Sequence, residues 1–346
     1  MKRIIIFCYT PGVSGVKAII DNIENQLYKL DVNVHVEDDI CKIANLSKQF
    51  LVIPYGIKAA YDLAKIIKCD LPLALLIDAY TLGCKNLVIN SLYRRKVFNT
   101  LFLRQLISYI IYSFKENYVL RRYKQIVLVN QYDADYMKNK YKKIVDFIIL
   151  KNGVALPHLY PSIKSVNKDG KLTIGILSHW SDMAFNDAKS FIEDSYPFLQ
   201  KNMSIELIVA GRGATQSMIN YFDRNKVSFI GEVLNLSDFF DQIDVYLVSV
   251  VKKCGILNKV LDSFAYRKIV IGKIHNFYPF IDLEEGYITY STNEELLARL
   301  TQIQNEELNV DYITKNAFNY VKKYHNWDTN YSGFASYLKK KIDSIQ

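Results

Sequence analysis

The segment Gly255-Ile256-Leu257-Asn258-Lys259-Val260-Leu261-Asp262 places a glycine, a lysine and a carboxylate at spacings that can do chemistry. It follows the apolar run Val245–Val250, and the apolar positions from Ile256 to Tyr266 keep helical spacing, which predicts strand, turn and helix in that order. A helix opening at Gly255 would present unpaired N–H groups and the positive end of its dipole, a natural seat for a phosphate. Lys259 would add a point charge to a diphosphate. Asp262, three residues further along the same helix, could accept hydrogen bonds from a ribose. The same spacing also describes a plain amphipathic helix with Lys259 and Asp262 in water.

Other candidates lie at predicted strand ends. Thr10-Pro11-Gly12-Val13-Ser14-Gly15 follows the first strand and approaches the GxGxxG dinucleotide fingerprint, with Thr10 in place of the first glycine. Glu37 closes the next strand about 20 residues on, where such a site keeps its ribose acid. A simple strand-to-helix turn needs glycine for the same steric reasons. Asp78 ends the run Leu73–Ile77, and there it could orient a hydroxyl, act as a base or cap the next segment. His179 follows the strand Leu172–Leu177. Asp133-Ala134-Asp135 spells DxD, but its place between a strand and a helix favours helix capping over metal binding. The five cysteines, at 8, 41, 69, 84 and 254, form no CxxC pair, and no histidines are spaced as a ligand pair. A metal site and a disulfide framework are therefore not expected, and a reducing cytoplasm fits best.

These loops need elements to hold them. The chain has 346 residues, half of them hydrophobic, with 14 glycines and 7 prolines, which suits two packed domains and excludes a disordered chain. Short apolar runs alternate with amphipathic stretches, and Leu73-Ala74-Leu75-Leu76-Ile77 is apolar at every position, as in a parallel strand covered on both faces. The rhythm pauses between Pro157 and Gly170, rich in breakers, and then restarts. The reading is an N-terminal α/β domain over 1–156, a linker over 157–170, a second α/β domain over 171–325 and a closing helix over 326–346. Two doubly wound sheets imply a cleft with both rows of loops facing it.

The net charge of +9 is local. Residues 1–155 carry 23 Lys and Arg against 13 acids, and residues 91–124 alone carry eight against one. Within that segment Arg94, Arg95, Lys96, Arg104, Arg121 and Arg122 flank or interrupt the apolar stretch Val97–Phe114, which is too broken to span a bilayer. Basic residues mixed with aliphatic and aromatic ones describe a helix in an anionic membrane interface or an acceptor surface. Packing of the apolar face on the sheet is the other reading. No nucleic-acid-binding motif accompanies the patch.

In sequence order, several segments resemble family-4 glycosyltransferases of the GT-B type. The 255–265 stretch is similar to the GIxNKVLEAMA of that family, and Lys151-Asn152-Gly153-Val154 to the NGV that leaves the last strand of its first domain. Ile208-Val209-Ala210-Gly211-Arg212-Gly213 resembles its strand ending in GxG, and Phe229-Ile230-Gly231-Glu232-Val233 its FxGxV. Tyr324-His325-Asn326-Trp327 looks like the start of its C-terminal helix, which crosses back to the first domain. The match over the first domain is thin, resting on Gly12, Gly15 and the 131–135 stretch.

The resemblance implies two Rossmann-like domains and transfer of a sugar, with retention, from a nucleotide diphosphate donor. The acceptor would be a glycan or a polyprenyl-linked glycan in surface-polysaccharide assembly, on the inner face of the plasma membrane. Donor contacts would come from Gly12, Gly15, His179, Gly211, Arg212, Gly231, Glu232, Val233, Gly255, Asn258, Lys259 and Asp262, with Asp78 and Lys259 at the reaction and no cofactor or metal. Many members carry two glutamates where this chain has Cys254 and Asp262, so the sugar-contacting carboxylate is missing. An NAD-dependent oxidoreductase and an inactive GT-B partner subunit are the alternatives.

Overall fold

The computed structural model describes residues 2–12, 14–47, 49–68, 71–93, 100–142, 145–157, 170–251 and 254–344. They form two compact units: unit 1 comprises 1–153, 252–256 and 325–346, and unit 2 comprises 154–251 and 257–324. Most of the 157–170 segment, together with Arg94, Arg95 and Lys96, lies outside the described residues.

Unit 1 has strands β1 (Lys2–Phe7), β2 (Val32–Glu37), β3 (Leu51–Pro54), β4 (Leu71–Ile77), β5 (Tyr123–Leu128) and β6 (Asp146–Ile149). Its helices are α1 (Ser14–Tyr28), α2 (Ile40–Leu46), α3 (Gly56–Ile66), α4 (Tyr80–Tyr93), α5 (Thr100–Arg122) and α6 (Gln131–Tyr141). All pairings are parallel, in the orders β2-β1-β3 and β4-β5-β6, and a bridge between Tyr55 and Leu75 joins the two groups. Side chains of a strand alternate between faces, so runs apolar at every position feed two cores. Ile5, Phe7, Ala74 and Leu76 pack with residues of α3, α5 and α6, whereas Ile4, Ile6, Leu73 and Leu75 pack with α1.

Unit 2 has β7 (Leu172–Leu177), β8 (Ile205–Ala210), β9 (Ser228–Phe229), β10 (Val245–Val248), β11 (Ile269–Gly272) and β12 (Ile288–Thr289). Its helices are α7 (Asp182–Asp194), α8 (Tyr196–Asn202), α9 (Gln216–Arg224), α10 (Leu236–Phe240), α11 (Asn258–Ala265), α12 (Asn293–Gln304) and α13 (Val310–Tyr324). One parallel sheet runs β12-β11-β10-β7-β8-β9, so strand order reverses between β10 and β7. The sequence pattern reads Phe185–Lys201 as one helix, but Pro197 near the start of α8 lacks the N–H that a continuous helix would need there, and the chain breaks at Ser195.

The chain ends in α14 (Trp327–Asp343), which belongs to unit 1 and packs on α1. Its entry is fixed by sequence-distant bonds: the His325 ring bonds the Asn152 carbonyl at 2.7 Å, and Asn330 donates to the Lys151 carbonyl. A Cβ on Gly153 would lie 2.3 Å from the Trp327 ring, so glycine is what lets the indole cover this turn.

Candidate functional site

Doubly wound sheets bind ligands beyond the carboxyl ends of their strands, where strand order reverses. In unit 2 that point lies between β7 and β10, and the predicted donor residues sit in the loops around it. The loops after β7, β8 and β9 are zipped by backbone bonds: Ser178 N–H to Ala210 O, Trp180 N–H to Arg212 O at 2.9 Å, and Gly211 N–H to Gly231 O at 2.7 Å. His179 is exposed with its imidazole against Gly213; Arg212, next to Gly213 in sequence, and Glu232 are also exposed. This brings His179, Gly211, Arg212 and Gly231 together, with Glu232 and Val233 following Gly231.

After β10 comes α11. It starts at Asn258, three residues later than the pattern predicts, because Gly255 turns at φ +68° before the chain can enter the helix. Its N-cap, Leu257, offers no side-chain oxygen, whereas Ser181, Thr215, Asn235 and Thr292 cap α7, α9, α10 and α12. Lys259 Nζ lies 3.1 Å from Asp262 Oδ2, and the lysine remains partly exposed. Burial raises the Asp262 carboxyl pKa, and the Lys259 ammonium opposes that rise.

In unit 1 a second cluster forms at the ends of β4 and β5. Asp78 follows Ile77, a β-branched residue at φ +73°, where the β4 register is irregular. Asp133 is fully buried, and its Oδ2 accepts Ala79 N–H at 2.8 Å and Gly255 N–H at 2.9 Å. Cys254 Sγ lies 3.7 Å from Asp78 Oδ2. Burial, aided by the Asp78 charge, pushes Asp133 up to about 7 against the opposing hydrogen bonds. The expectation that the DxD aspartates cap a helix needs correction. Asn130 caps α6, accepting Asp133 N–H, and the Asp133 carboxylate turns to two loops instead. Asp135 takes Gln131, so the two aspartates do not converge. Among the described residues no three His, Cys, Asp or Glu side chains are grouped to hold a metal.

The loop after β1 offers less. Gly12 has open space where a Cβ would stand, and Gly15 lies in the first turn of α1. Glu37 Oε1 accepts the N–H groups of Asp38 and Asp39, and its Oε2 faces His35 and Lys42. That carboxylate is engaged by its own loop, which weakens the dinucleotide reading.

The basic segment resolves into parts. Arg104 and Arg121 are exposed, while Arg122 is anchored on the Ile67 carbonyl. Along the first part of α5, Leu103, Ile107, Ile110, Ile111 and Phe114 form one exposed apolar stripe, Ile110 and Phe114 at 60% and 62% exposure. In the later part Glu116, Val119 and Leu120 are buried, and Glu116 accepts from Thr81 N–H, Thr81 Oγ1 and Tyr141 OH there. No described helix is long and apolar enough to cross a membrane.

The whole chain resembles solved structures. Sucrose-phosphate synthase from Thermosynechococcus elongatus matches over 100% of both chains, with a TM-score of 0.73 and 11% identity. The fold is GT-B. Anabaena HepE in complex with UDP matches over 98% of this chain and 100% of its own, with a TM-score of 0.67 and 12% identity. The lipopolysaccharide outer core galactosyltransferase WaaB also matches over 98% of this chain and 100% of its own, with a TM-score of 0.65 and 10% identity. No protein-family profile and no curated protein sequence matches the chain. In GT-B terms, unit 1 is the N-terminal domain with the closing helix α14, and unit 2 is the C-terminal domain.

Proposed function

We propose that the protein is a family-4-like glycosyltransferase that takes a sugar from a nucleotide diphosphate donor. The observation that carries this reading is α11, whose N-terminus has no side-chain cap and bears Lys259 at the strand-order reversal of a GT-B C-terminal domain. The bound UDP of the HepE structure supports a uridine nucleotide as the first candidate donor. The diphosphate would take the helix N-terminus and draw Lys259 from Asp262, whose carboxylate would then accept the ribose hydroxyls. His179, Gly211, Arg212, Gly231, Glu232 and Val233 would line the base and sugar. Family resemblance supports retention, with the leaving diphosphate helping to take the acceptor proton and Asp78 orienting the acceptor hydroxyl. No metal or cofactor enters this scheme, because the helix end and Lys259 supply the positive charge.

The acceptor is a glycan or polyprenyl-linked glycan at an anionic membrane surface, in surface-polysaccharide assembly on the cytoplasmic side. The exposed stripe on α5 with Arg104 supports this part, since apolar and basic side chains together fit a bilayer interface.

A calorimetric and thermal-shift screen of UDP, GDP, dTDP and CMP sugars, with NAD as a control, tests the donor. One nucleotide sugar should stabilise the protein, and Lys259→Ala should weaken its binding roughly 10- to 100-fold, the worth of a charged hydrogen bond. Unchanged affinity would remove Lys259 from the phosphate site, and binding with no transfer or hydrolysis would mark an inactive GT-B partner subunit. For the membrane, the protein should sediment with phosphatidylglycerol vesicles. Because full burial of an aliphatic side chain contributes about 1.5–3 kcal/mol and about half of each isoleucine is exposed, the double variant Ile107→Ser/Ile110→Ser should bind roughly 10- to 100-fold more weakly. Equal binding by that variant would refute the docking face.

A further inference from the structure

Two turns of unit 1 are held by one oxygen atom. The first is the turn after β4, where Ile77 sits at φ +73° and Ala79 N–H points to Asp133 Oδ2 at 2.8 Å. The second is the Cys254–Gly255 turn, whose Gly255 N–H reaches the same Oδ2 at 2.9 Å. Asp78 stands between them: Cys254 Sγ is 3.7 Å from its Oδ2, and a Cβ on Gly255 would lie 3.2 Å from its Cβ. A β-branched residue at positive φ is strained and persists only where its surroundings over-determine it. Asp133 meets that need from a fully buried position, fixed in turn by the Asn130 side chain that caps α6. Its other oxygen, Oδ1, is buried with no hydrogen-bond partner, an expense a purely structural side chain would avoid.

We propose that Asp133 is a positioning residue, whose single carboxylate oxygen clamps the Ala79 and Gly255 amides and thereby sets the Asp78 carboxylate beside Cys254. The role of Asp78 rests on the glycosyltransferase reading above; the clamp itself does not. Charge on the carboxylate strengthens both N–H bonds, so the clamp tightens as Asp133 ionises near neutral pH. The charged group acting on it is Asp78 from the β4 turn, which the Cys254 thiol of the second turn contacts in turn.

The test is amide hydrogen exchange at Ala79 and Gly255, corrected for base catalysis, between pH 5.5 and 8.5. In the wild type, protection at both sites should rise together through neutrality. Asp133→Asn, which keeps one acceptor oxygen but no charge, should protect both amides weakly and with no pH dependence. Asp133→Ala should release both by at least tenfold. Independent behaviour of the two amides, or the same pH profile in Asp133→Asn as in the wild type, would overturn the clamp. With whichever nucleotide sugar the screen selects, Asp133→Asn should lower kcat for donor turnover by a larger factor than it changes KM. A changed KM with intact kcat would overturn the link to Asp78. Absence of any nucleotide-sugar binding would sink the functional reading while the exchange data still judge the clamp.

Discussion

Gly211→Ala should lower the thermal unfolding midpoint by roughly 10 °C or more. Gly211 holds φ +123°, and a Cβ built on it would lie 1.8 Å from the backbone carbonyl oxygen of Ser178. Backbone cannot swing aside as a flexible side chain can, so the substitution must pull apart the β7 and β8 loops that Ser178, Trp180 and Gly211 zip together. Overpacking costs about 1–3 kcal/mol and a strained φ/ψ about as much again, for a total of about 4 kcal/mol. That is a large share of the ~5–15 kcal/mol that stabilises a typical protein. Gly231→Ala is the internal control. It also sits at positive φ, +79°, but nothing lies within 4 Å of its Cβ, so only the conformational cost of about 1–2 kcal/mol remains. Scanning calorimetry of the two variants side by side checks the contrast; equal midpoints would show that the loops are not locked as the geometry requires.

The same loops show what a sequence can and cannot disclose. Gly211 and Gly231 were legible through the resemblance of their segments to the GxG and FxGxV of GT-B glycosyltransferases, and strand ends are where doubly wound sheets bind ligands. The parallel sheets were legible for a related reason: runs such as Leu73–Ile77 have no polar face and must be covered twice. What stayed hidden depends on partners far away in the chain. The Gly255 turn delays α11 to Asn258, and the acceptor for the Gly255 amide is Asp133, 122 residues earlier. Spacing made Asp133 a helix cap because capping is local, whereas its actual bonds are tertiary. Likewise, the positions 103, 107, 110, 111 and 114 of α5 share one face in either reading, buried or exposed. Only the fold reveals that Glu116, Val119 and Leu120 further along α5 are buried while this stripe faces outward.

The second large effect is a hidden pH dependence of unit 1 stability, in which two buried groups oppose each other. Burial and the neighbouring Asp78 charge raise Asp133 from 3.8 to about 7. An acid raised on folding stabilises the native state below its unfolded pKa and loses that contribution as pH climbs to the folded value, here about 4 kcal/mol in all. His325 runs the other way. Burial lowers it from 6.5 to about 4, against the pull of the Asn152 carbonyl that its ring bonds. A base lowered on folding contributes fully above its unfolded pKa and loses about 3 kcal/mol as pH falls through the folded value. Between about pH 4 and 6.5 both are in play with opposite slopes of about 1.4 kcal/mol per pH unit, so together they nearly cancel. Each variant uncovers the other group. Asp133→Asn should make stability rise by about 3 kcal/mol relative to the wild type over that interval, and His325→Asn should make it fall by a similar amount. Other buried carboxyls, such as Glu116, which burial also raises, are common to all variants and drop out of the differences. Urea unfolding at pH 4.5, 5.5 and 6.5 for the wild type, both single variants and the double variant provides the measurement. The double variant should regain the wild-type profile, and single variants that merely run parallel to the wild type would show that neither group carries the buried titration its surroundings demand.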